Sequence, residues 1–117
     1  MRDKDRIEHI LQHYDEMLLL KHKYDFEEHN EIDRLAYKKA IRMDLLQMGE
    51  LVNHLSNETL IKLNPEDVKG VVDIRNFVAH GYTKLKDDYI EDTITIYCPK
   101  LIEQLKEIIL VENSNNK

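Results

Sequence analysis

The sequence predicts an all-α protein, a four- or five-helix up-and-down bundle with a kinked C-terminal helix. Apolar residues recur at steps of three and four over most of the chain, which is the spacing of one face of an α-helix. Only three glycines and two prolines interrupt the 117 residues, which favours a few long elements over many short strands. We expect a single helical domain over residues 1–112 and a frayed tail over residues 113–117.

Composition limits the classes of function. The formal net charge of −6 argues against a protein that coats nucleic acid non-specifically, because phosphate contacts need a basic surface, although a small basic pocket remains compatible with it. The single cysteine, Cys98, cannot form an internal disulfide and fits a reducing compartment. The opening residues, MRDKDRIEHI, have no apolar signal core. A cytoplasmic protein without a membrane partner is therefore expected.

Two helices are predicted in the first half of the chain. The first spans residues 2–21, and the polar stretch HKYDFEEHNE, residues 22–31, is expected to connect it to the second. Asn30 can cap helix two, with Asp33 placed three residues on as in a capping box. Helix two spans residues 31–56 and carries a seam with heptad-like spacing, formed by Ile41, Leu45, Met48, Val52 and Leu55. Gly49 lies inside this helix and indicates close approach of another helix.

Two more helices are predicted in the second half. Asn64 followed by Pro65 is typical of a helix start, so helix three begins at Pro65. The last stretch contains DTITIYC, which alternates as a strand would, but helical spacing of apolar residues continues through it. We therefore predict one helix over residues 87–112, bent at Pro99 because proline lacks a backbone N–H and clashes with the previous turn.

Helix three ends in IRNFVAHGY, residues 74–82, where polar groups are unusually dense. Arg75 lies on the same face as several valines, so this face must meet an acidic partner, a wet cavity or another subunit. Asn76 and His80 are neighbours at i, i+4. Arg75 and His80 point about 140° apart on a straight helix. They converge only if the helix ends near Gly81 or if a second copy of the chain supplies the other half.

An imidazole, a guanidinium and an amide form a set that can cleave RNA without a metal. Histidine moves protons near neutral pH, and arginine stabilises the charge that builds on a phosphate. The ribose 2′-hydroxyl then serves as the internal nucleophile. Two structural explanations stand beside this one: His80 can be a helix-dipole partner, and an ion pair of Arg75 with Glu50 would account for the arginine without chemistry.

The motif and its surroundings resemble the HEPN superfamily, and within it the HepT family, whose motif is R-x-x-x-x-H-x-Y. Arg75, His80 and Tyr82 fill that motif, and Asn76 fills the polar position after the arginine. The likeness extends to DRIEHIL, to IRMDLLQMGELVNHLS and to the proline-bearing final helix. One departure is that NPEDVKGVVDIRN lacks the tryptophan that many relatives carry ahead of the arginine.

The resemblance implies a HEPN-like bundle that forms a homodimer with its motif at the subunit interface. It also implies a metal-independent endoribonuclease, the toxin half of a toxin–antitoxin pair, that needs no cofactor. His80 would do acid–base work, Arg75 would stabilise phosphate charge and Asn76 would assist. A cognate MNT-type nucleotidyltransferase antitoxin would neutralise the toxin, in some pairs by attaching AMP to the motif tyrosine, here Tyr82, which would otherwise contact substrate.

Two alternatives for the whole protein stay open at this point. One is a non-catalytic HEPN module that binds a nucleotide or RNA, or that docks a partner through Tyr82. The other is a plain helical dimerisation domain. An RNA-cleavage assay separates the enzyme from both.

Two further clusters are visible in the sequence. His9 and His13 have the i, i+4 spacing of paired metal ligands, but without further ligands they are better interpreted as solvated or half-buried histidines, and no metal site is predicted. A basic strip on helix two consists of Arg34, Lys38, Lys39 and Arg42. Arg42, Lys38 and Arg34 are candidate RNA-backbone contacts. The alternative is an ordinary solvated face, paired with Glu31 or Asp44.

Overall fold

The computed structural model describes residues 2–79 and 87–115, and every regular element within them is helical. The all-α fold is therefore confirmed. None of these described helices is both long and apolar enough to cross a lipid bilayer. In chain order the elements are α1 (Asp3–Phe26), α2 (Glu31–Asn53), α3 (Asn57–Leu60), α4 (Pro65–Ala79), α5 (Asp87–Asp92), a π-helical segment (Thr93–Tyr97) and α6 (Cys98–Asn115).

The long helices pack antiparallel to their neighbours. Between α1 and α2, His13 meets Asp44 at 3.1 Å, and the rings of Tyr24 and Tyr37 stack with centroids 4.1 Å apart. Residue numbers thus rise along α1 as they fall along α2. The same relation holds between α4 and the segment that ends in α6. The side chain of Gln104 donates to Asp67 at 2.8 Å, and Phe77, later in α4, packs against Tyr89, earlier in that segment, with ring centroids 5.6 Å apart. This is the up-and-down arrangement expected for a bundle.

The core follows the predicted seam of α2. Ile41, Leu45, Met48, Val52 and Leu55 are all buried, and apolar residues from α1, α4 and α6 close around them. Burying a side chain of this size contributes about 1.5–3 kcal/mol, so the seam is a major source of the stability of the bundle. Further members of the same core are Ile7, Ile10, Met17, Val71, Ile74, Leu101 and Leu105.

Gly49 allows α2 and α4 to approach closely, as predicted. A Cβ atom at this position would lie 2.9 Å from the Cβ of Arg75 and 3.1 Å from the carbonyl oxygen of Val71. Contacts this short are incompatible with any side chain unless the helices move apart. The glycine therefore sets the α2–α4 distance at the level of Arg75.

The predicted helix starts are confirmed. At the start of α2, the Asn30 side chain accepts a hydrogen bond from the Asp33 backbone N–H at 2.9 Å, and the Asp33 carboxylate accepts from the Asn30 backbone N–H at 3.0 Å. This is a reciprocal capping box. Helix α4 begins at Pro65, and the Asn64 side chain accepts from the Glu66 N–H at 2.9 Å.

Three helix boundaries differ from the prediction. Helix α1 continues to Phe26, so placing residues 22–26 in a connection was wrong. Tyr24 explains the extension, because its ring stacks between Tyr37 of α2 and His29, whose ring centroid is 3.9 Å away. Helix α2 ends at Asn53, and the unpredicted α3 follows after a Ser56 cap. Helix α6 extends to Asn115, three residues beyond the predicted end at residue 112.

The segment before Pro99 is helical, as predicted, but it is not α-helical throughout. The Cys98 N–H donates to the Thr93 carbonyl, a π-type bond that spans five residues. Thr93 donates its hydroxyl to the Tyr89 carbonyl at 2.9 Å, and Thr95 donates to the Glu91 carbonyl at 2.8 Å. Such back-bonds satisfy carbonyls where the ladder is irregular. The chain accommodates Pro99 by widening the preceding turn, so DTITIYC is helical despite its strand-like alternation of residues.

Candidate functional site

Arg75 lies on the face of α4 that packs against α2, and there it meets Glu50. Its Nε atom donates to the Glu50 carboxylate, and its Nη1 atom donates to the Asn76 side-chain oxygen at 3.1 Å. The side chains of Arg75 and Glu50 are 29% and 37% exposed, so the ion pair is half-buried and open on one side. The Glu50–Arg75 pair, which was the structural alternative to a catalytic role, is present, and the acidic partner accounts for an arginine on an otherwise apolar face.

This pairing fixes the guanidinium but leaves part of it available. A guanidinium carries five N–H donors in a rigid fork, and the two bonds above use one at Nε and one at Nη1. Within the described part of the chain, no acceptor engages Nη2. Glu50 also cancels the net charge of Arg75. The arginine is therefore suited to directed hydrogen bonding of an anion more than to long-range attraction.

Asn76 is exposed and lies beside this pair at the protein surface. Its side-chain oxygen accepts from Arg75, and among residues 2–79 and 87–115 no acceptor takes the two donors of its NH₂ group. The other motif residues, His80, Gly81 and Tyr82, lie outside the described residues. Helix α4 is described as far as Ala79. Convergence of Arg75 with His80 and a helix end near Gly81 therefore stay predictions.

The basic strip of α2 lines a cavity of about 320 Å³ between α2 and the α5–π segment. Arg34, Lys38 and Arg42 all contribute to its wall, whereas Lys39 is exposed outside it. Asp44, one of the two carboxylates considered as a partner for the strip, bonds to His13 instead. The structure thus brings three of the four basic residues to one concave surface.

The cavity begins close to the end of α4. Helices α2 and α4 run antiparallel with Gly49 beside Val71 and Arg75, so Ala79 lies at the level of about residues 41–45 of α2. Arg42 falls within this range. Phe77 near the end of α4 also packs edge-on against Tyr89 of α5, with ring centroids 5.6 Å apart. The strip and the motif helix are therefore parts of one continuous region.

A second polar cluster, formed by His13, Glu16 and Asp44, lies between α1 and α2. Its potential ligand atoms all lie within 4.8 Å of one another, and it is a group that could hold a metal ion. Burial raises the pKa of Asp44, the hydrogen bond with His13 opposes that shift, and nearby Glu16 adds to it. His9 is exposed and takes no part. The sequence signal for this cluster was an aspartate within the buried seam of α2.

The fold and these contacts can now be set beside known proteins. A family model described as ribonuclease HepT-like matches residues 7–108. The chain belongs to the HepT-like ribonuclease family. The match covers the Glu50–Arg75 pair, Asn76 and both walls of the cavity, and it confirms the HepT-like resemblance seen in the sequence. No curated protein and no solved structure gave a significant match.

Proposed function

We propose that this HepT-like protein is the toxin of a toxin–antitoxin pair and cleaves RNA without a metal, as a homodimer with its R-x4-H-x-Y motif at the subunit interface. The observation that carries the proposal is the orientation of Arg75 in a half-buried ion pair that is open on one side, with its Nε bound by Glu50 and its Nη1 bound by Asn76. In a chain of the ribonuclease HepT-like family, a guanidinium held in one direction supports the proposal, because directed donors can stabilise the charge on a phosphate.

The reaction follows from the residue types of the motif. His80 takes the proton of a ribose 2′-hydroxyl, and the 2′-oxygen attacks the adjacent phosphorus. The bond from phosphorus to the 5′-oxygen breaks, which leaves a 2′,3′-cyclic phosphate and a 5′-hydroxyl end. The proton that the leaving oxygen needs comes from an imidazolium, which the second motif of a twofold dimer supplies. Arg75 stabilises the charge on the phosphorane, and Asn76 orients the phosphate.

Neutralisation would come from a cognate MNT-type nucleotidyltransferase in the cytoplasm. The Tyr82 phenol attacks the α-phosphorus of ATP, which transfers AMP to the tyrosine and releases pyrophosphate. A phosphodiester attached two residues from His80 adds negative charge beside groups that bind phosphate. That charge repels the RNA backbone, including the part that Arg34, Lys38 and Arg42 would contact.

The decisive experiment incubates the purified protein with single-stranded RNA in the presence of a chelator. We expect cleavage with cyclic-phosphate ends, and we expect it to be lost in the His80→Ala variant. The matched control is His9→Ala, which removes an exposed histidine of α1 and should leave cleavage unchanged. Sedimentation of the same samples tests the dimer. Cleavage that persists in His80→Ala, or that requires a metal, would contradict the mechanism.

A second candidate function is a non-catalytic module that binds RNA or a nucleotide. The Glu50–Arg75 ion pair favours it, because a neutralised arginine needs no catalytic role to explain its place on α4. The same assay separates the two functions. A wild-type protein that binds RNA and leaves it intact under all conditions is a binding module.

A further inference from the structure

Three side chains that can bind a metal converge between α1 and α2. His13 and Glu16 stand at i, i+3 on α1, which places them on one face of that helix, and Asp44 meets His13 from α2. The potential ligand atoms of all three lie within 4.8 Å of one another. An imidazole nitrogen and two carboxylates from facing helices are the kind of set that holds metal ions in helical bundles.

The distance between His13 and Asp44 is close to the distance between two ligands of one metal ion. His13 Nδ1 lies 3.1 Å from Asp44 Oδ1. Two ligands that each lie about 2.0–2.1 Å from a tetrahedral Zn²⁺ are separated by about 3.3 Å. A metal ion can therefore replace the hydrogen bond between these two atoms after only a small shift. Glu16 is exposed, so its flexible side chain is able to turn and complete the set.

Asp44 is the residue whose position calls for a cation. Its side chain is only 9% exposed. Within residues 2–79 and 87–115 no lysine or arginine forms an ion pair with Asp44, and the imidazole of His13 is charged only when protonated. Buried carboxylates are paired with a cation or coordinate a metal. The nearby carboxylate of Glu16 adds repulsion, which a divalent ion between the two carboxylates would remove.

The cluster is built on a well-packed part of the molecule and is open on one side. Ile10 and Met17, about one turn before and one turn after His13, are fully buried. Their packing holds the backbone of α1 against α2, so little order has to be gained when a metal binds. The His13 side chain is 30% exposed and Glu16 lies at the surface, which leaves a path for the metal and room for a water as a further ligand.

The ligand types favour Zn²⁺ over Mg²⁺ and Ca²⁺. Imidazole nitrogen suits zinc and neighbouring transition metals, whereas magnesium and calcium prefer oxygen ligands. Magnesium also demands octahedral geometry and usually keeps several waters. Three protein ligands, one of them a histidine, with one further position facing solvent, suit a four-coordinate zinc ion.

We propose that His13, Glu16 and Asp44 form a zinc-binding site that joins α1 to α2. Asp44 and Glu50 are six residues apart on α2, which corresponds to about 120° around the helix. The site therefore lies on a different face of α2 from the ion pair between Glu50 and Arg75, and it is separate from the proposed cleavage motif. The bound ion would stabilise the bundle by linking its first two helices.

The first test compares Zn²⁺ binding by the wild type and two variants, by titration calorimetry on protein freed of metal with a chelator. His13→Gln and Glu16→Gln should each raise the dissociation constant about tenfold or more, because each removes a ligand. The matched controls are His9→Gln and Glu8→Gln, which make the same changes at exposed positions of α1 and should alter the constant less than about twofold. Equal effects of the site and control substitutions would overturn the proposal, as would a wild type that does not bind Zn²⁺.

Thermal unfolding tests the link between metal and fold. Zn²⁺ should raise the Tm of the wild type, because a ligand that binds only the folded state stabilises it, and Mg²⁺ at the same concentration should raise it far less. Asp44→Asn should lose most of the Zn²⁺ effect if it folds, and the two surface variants carry the test if it does not. Equal stabilisation by Mg²⁺ would contradict a site that depends on a histidine.

Cobalt reports the ligands directly. Co²⁺ in a four-coordinate protein site absorbs visible light much more strongly than the hydrated ion. The wild type should show this absorption, and His13→Gln should lose it while His9→Gln keeps it. A spectrum like that of hydrated Co²⁺ in the wild type would contradict coordination by these three residues.

This proposal and the proposed function can fail independently. RNA cleavage in a chelator tests the ribonuclease without any metal, and His13→Gln should leave that cleavage within about twofold of the wild type. Zinc binding without RNA cleavage would remove the ribonuclease and leave the metal site. Loss of cleavage in a folded His13→Gln protein would contradict the separation of the site from the motif.

Discussion

The molecule holds its basic residues in two different ways. Arg75 is hydrogen-bonded to both Glu50 and Asn76, so its guanidinium has a fixed direction, and the ion pair with Glu50 has little net charge. Arg34, Lys38 and Arg42 instead form a row along α2 and line a concave surface. Directed donors suit a transition state, where small displacements are costly, and a row of charges suits a long, flexible anion. Under the proposed function, Arg75 would serve the chemistry and the row on α2 would contact the RNA backbone.

The largest effect should come from exchanging arginine for lysine in each region. Arg75→Lys should lower RNA cleavage by about 100-fold or more, because a single ammonium cannot serve Glu50, Asn76 and a phosphate at once. Arg34→Lys retains the charge and should change cleavage by less than about threefold. The measurement is kcat/KM for a fluorogenic RNA. Similar losses in both variants would end the distinction between the two regions.

A smaller effect is expected from Glu50→Gln. The amide can still accept from Arg75, but the charge that holds the guanidinium is lost, so kcat should fall about tenfold while KM stays level or drops. Glu58→Gln, an exposed glutamate of α3, is the control. If kcat were unchanged and only RNA affinity rose, Glu50 would be a charge partner without a positioning role.

The smallest effect concerns the boundary between the two regions, where Asp44 lies two residues from Arg42. Because burial raises its pKa, folded Asp44 holds its proton more tightly than unfolded Asp44, despite the opposing hydrogen bond from His13. The stability gained from this proton is present below the unfolded pKa of about 3.8 and is lost as pH rises through the folded pKa. The Tm of Asp44→Asn relative to wild type should therefore rise from pH 3 to pH 7.

The control for that experiment is Asp15→Asn, which removes an exposed carboxylate of α1. Its Tm difference from wild type should vary less with pH than that of Asp44→Asn. If the Tm of Asp44→Asn relative to wild type instead fell toward neutral pH, the ionised carboxylate would stabilise the folded state, as an ion-pair partner of the basic strip would.

Local signals in the sequence predicted the parts of the fold that depend on neighbours in the chain. The Asn30–Asp33 box, the start of α4 at Pro65 and the seam of α2 each follow from residues within one or two turns. The end of α1 could not be predicted in this way. Its last turn is polar, and it is held in a helix by the stacking of Tyr24 on a residue of another helix.

The candidate site shows the same limit. The Glu50–Arg75 pair was predictable because Gly49 indicates the level at which α4 crosses α2. The cavity could not be predicted from the sequence. The spacing of the basic strip shows that its residues lie in a row along α2, but it does not show that Ile90 and Ile94 form the opposite wall. Asp44 was seen as a neighbour of the strip, and only the packing of α1 shows that it faces His13.

The π-helical turn before Pro99 changes the direction in which side chains point before and after it in the last helix. One extra residue in a turn rotates everything after it by roughly 100° relative to everything before it. Ile90 and Ile94 before the turn border the cavity and also belong to the buried core, as do Leu101 and Leu105 after it. A substitution at Ile90 or Ile94 would therefore alter the wall of the cavity and the packing of the interior together.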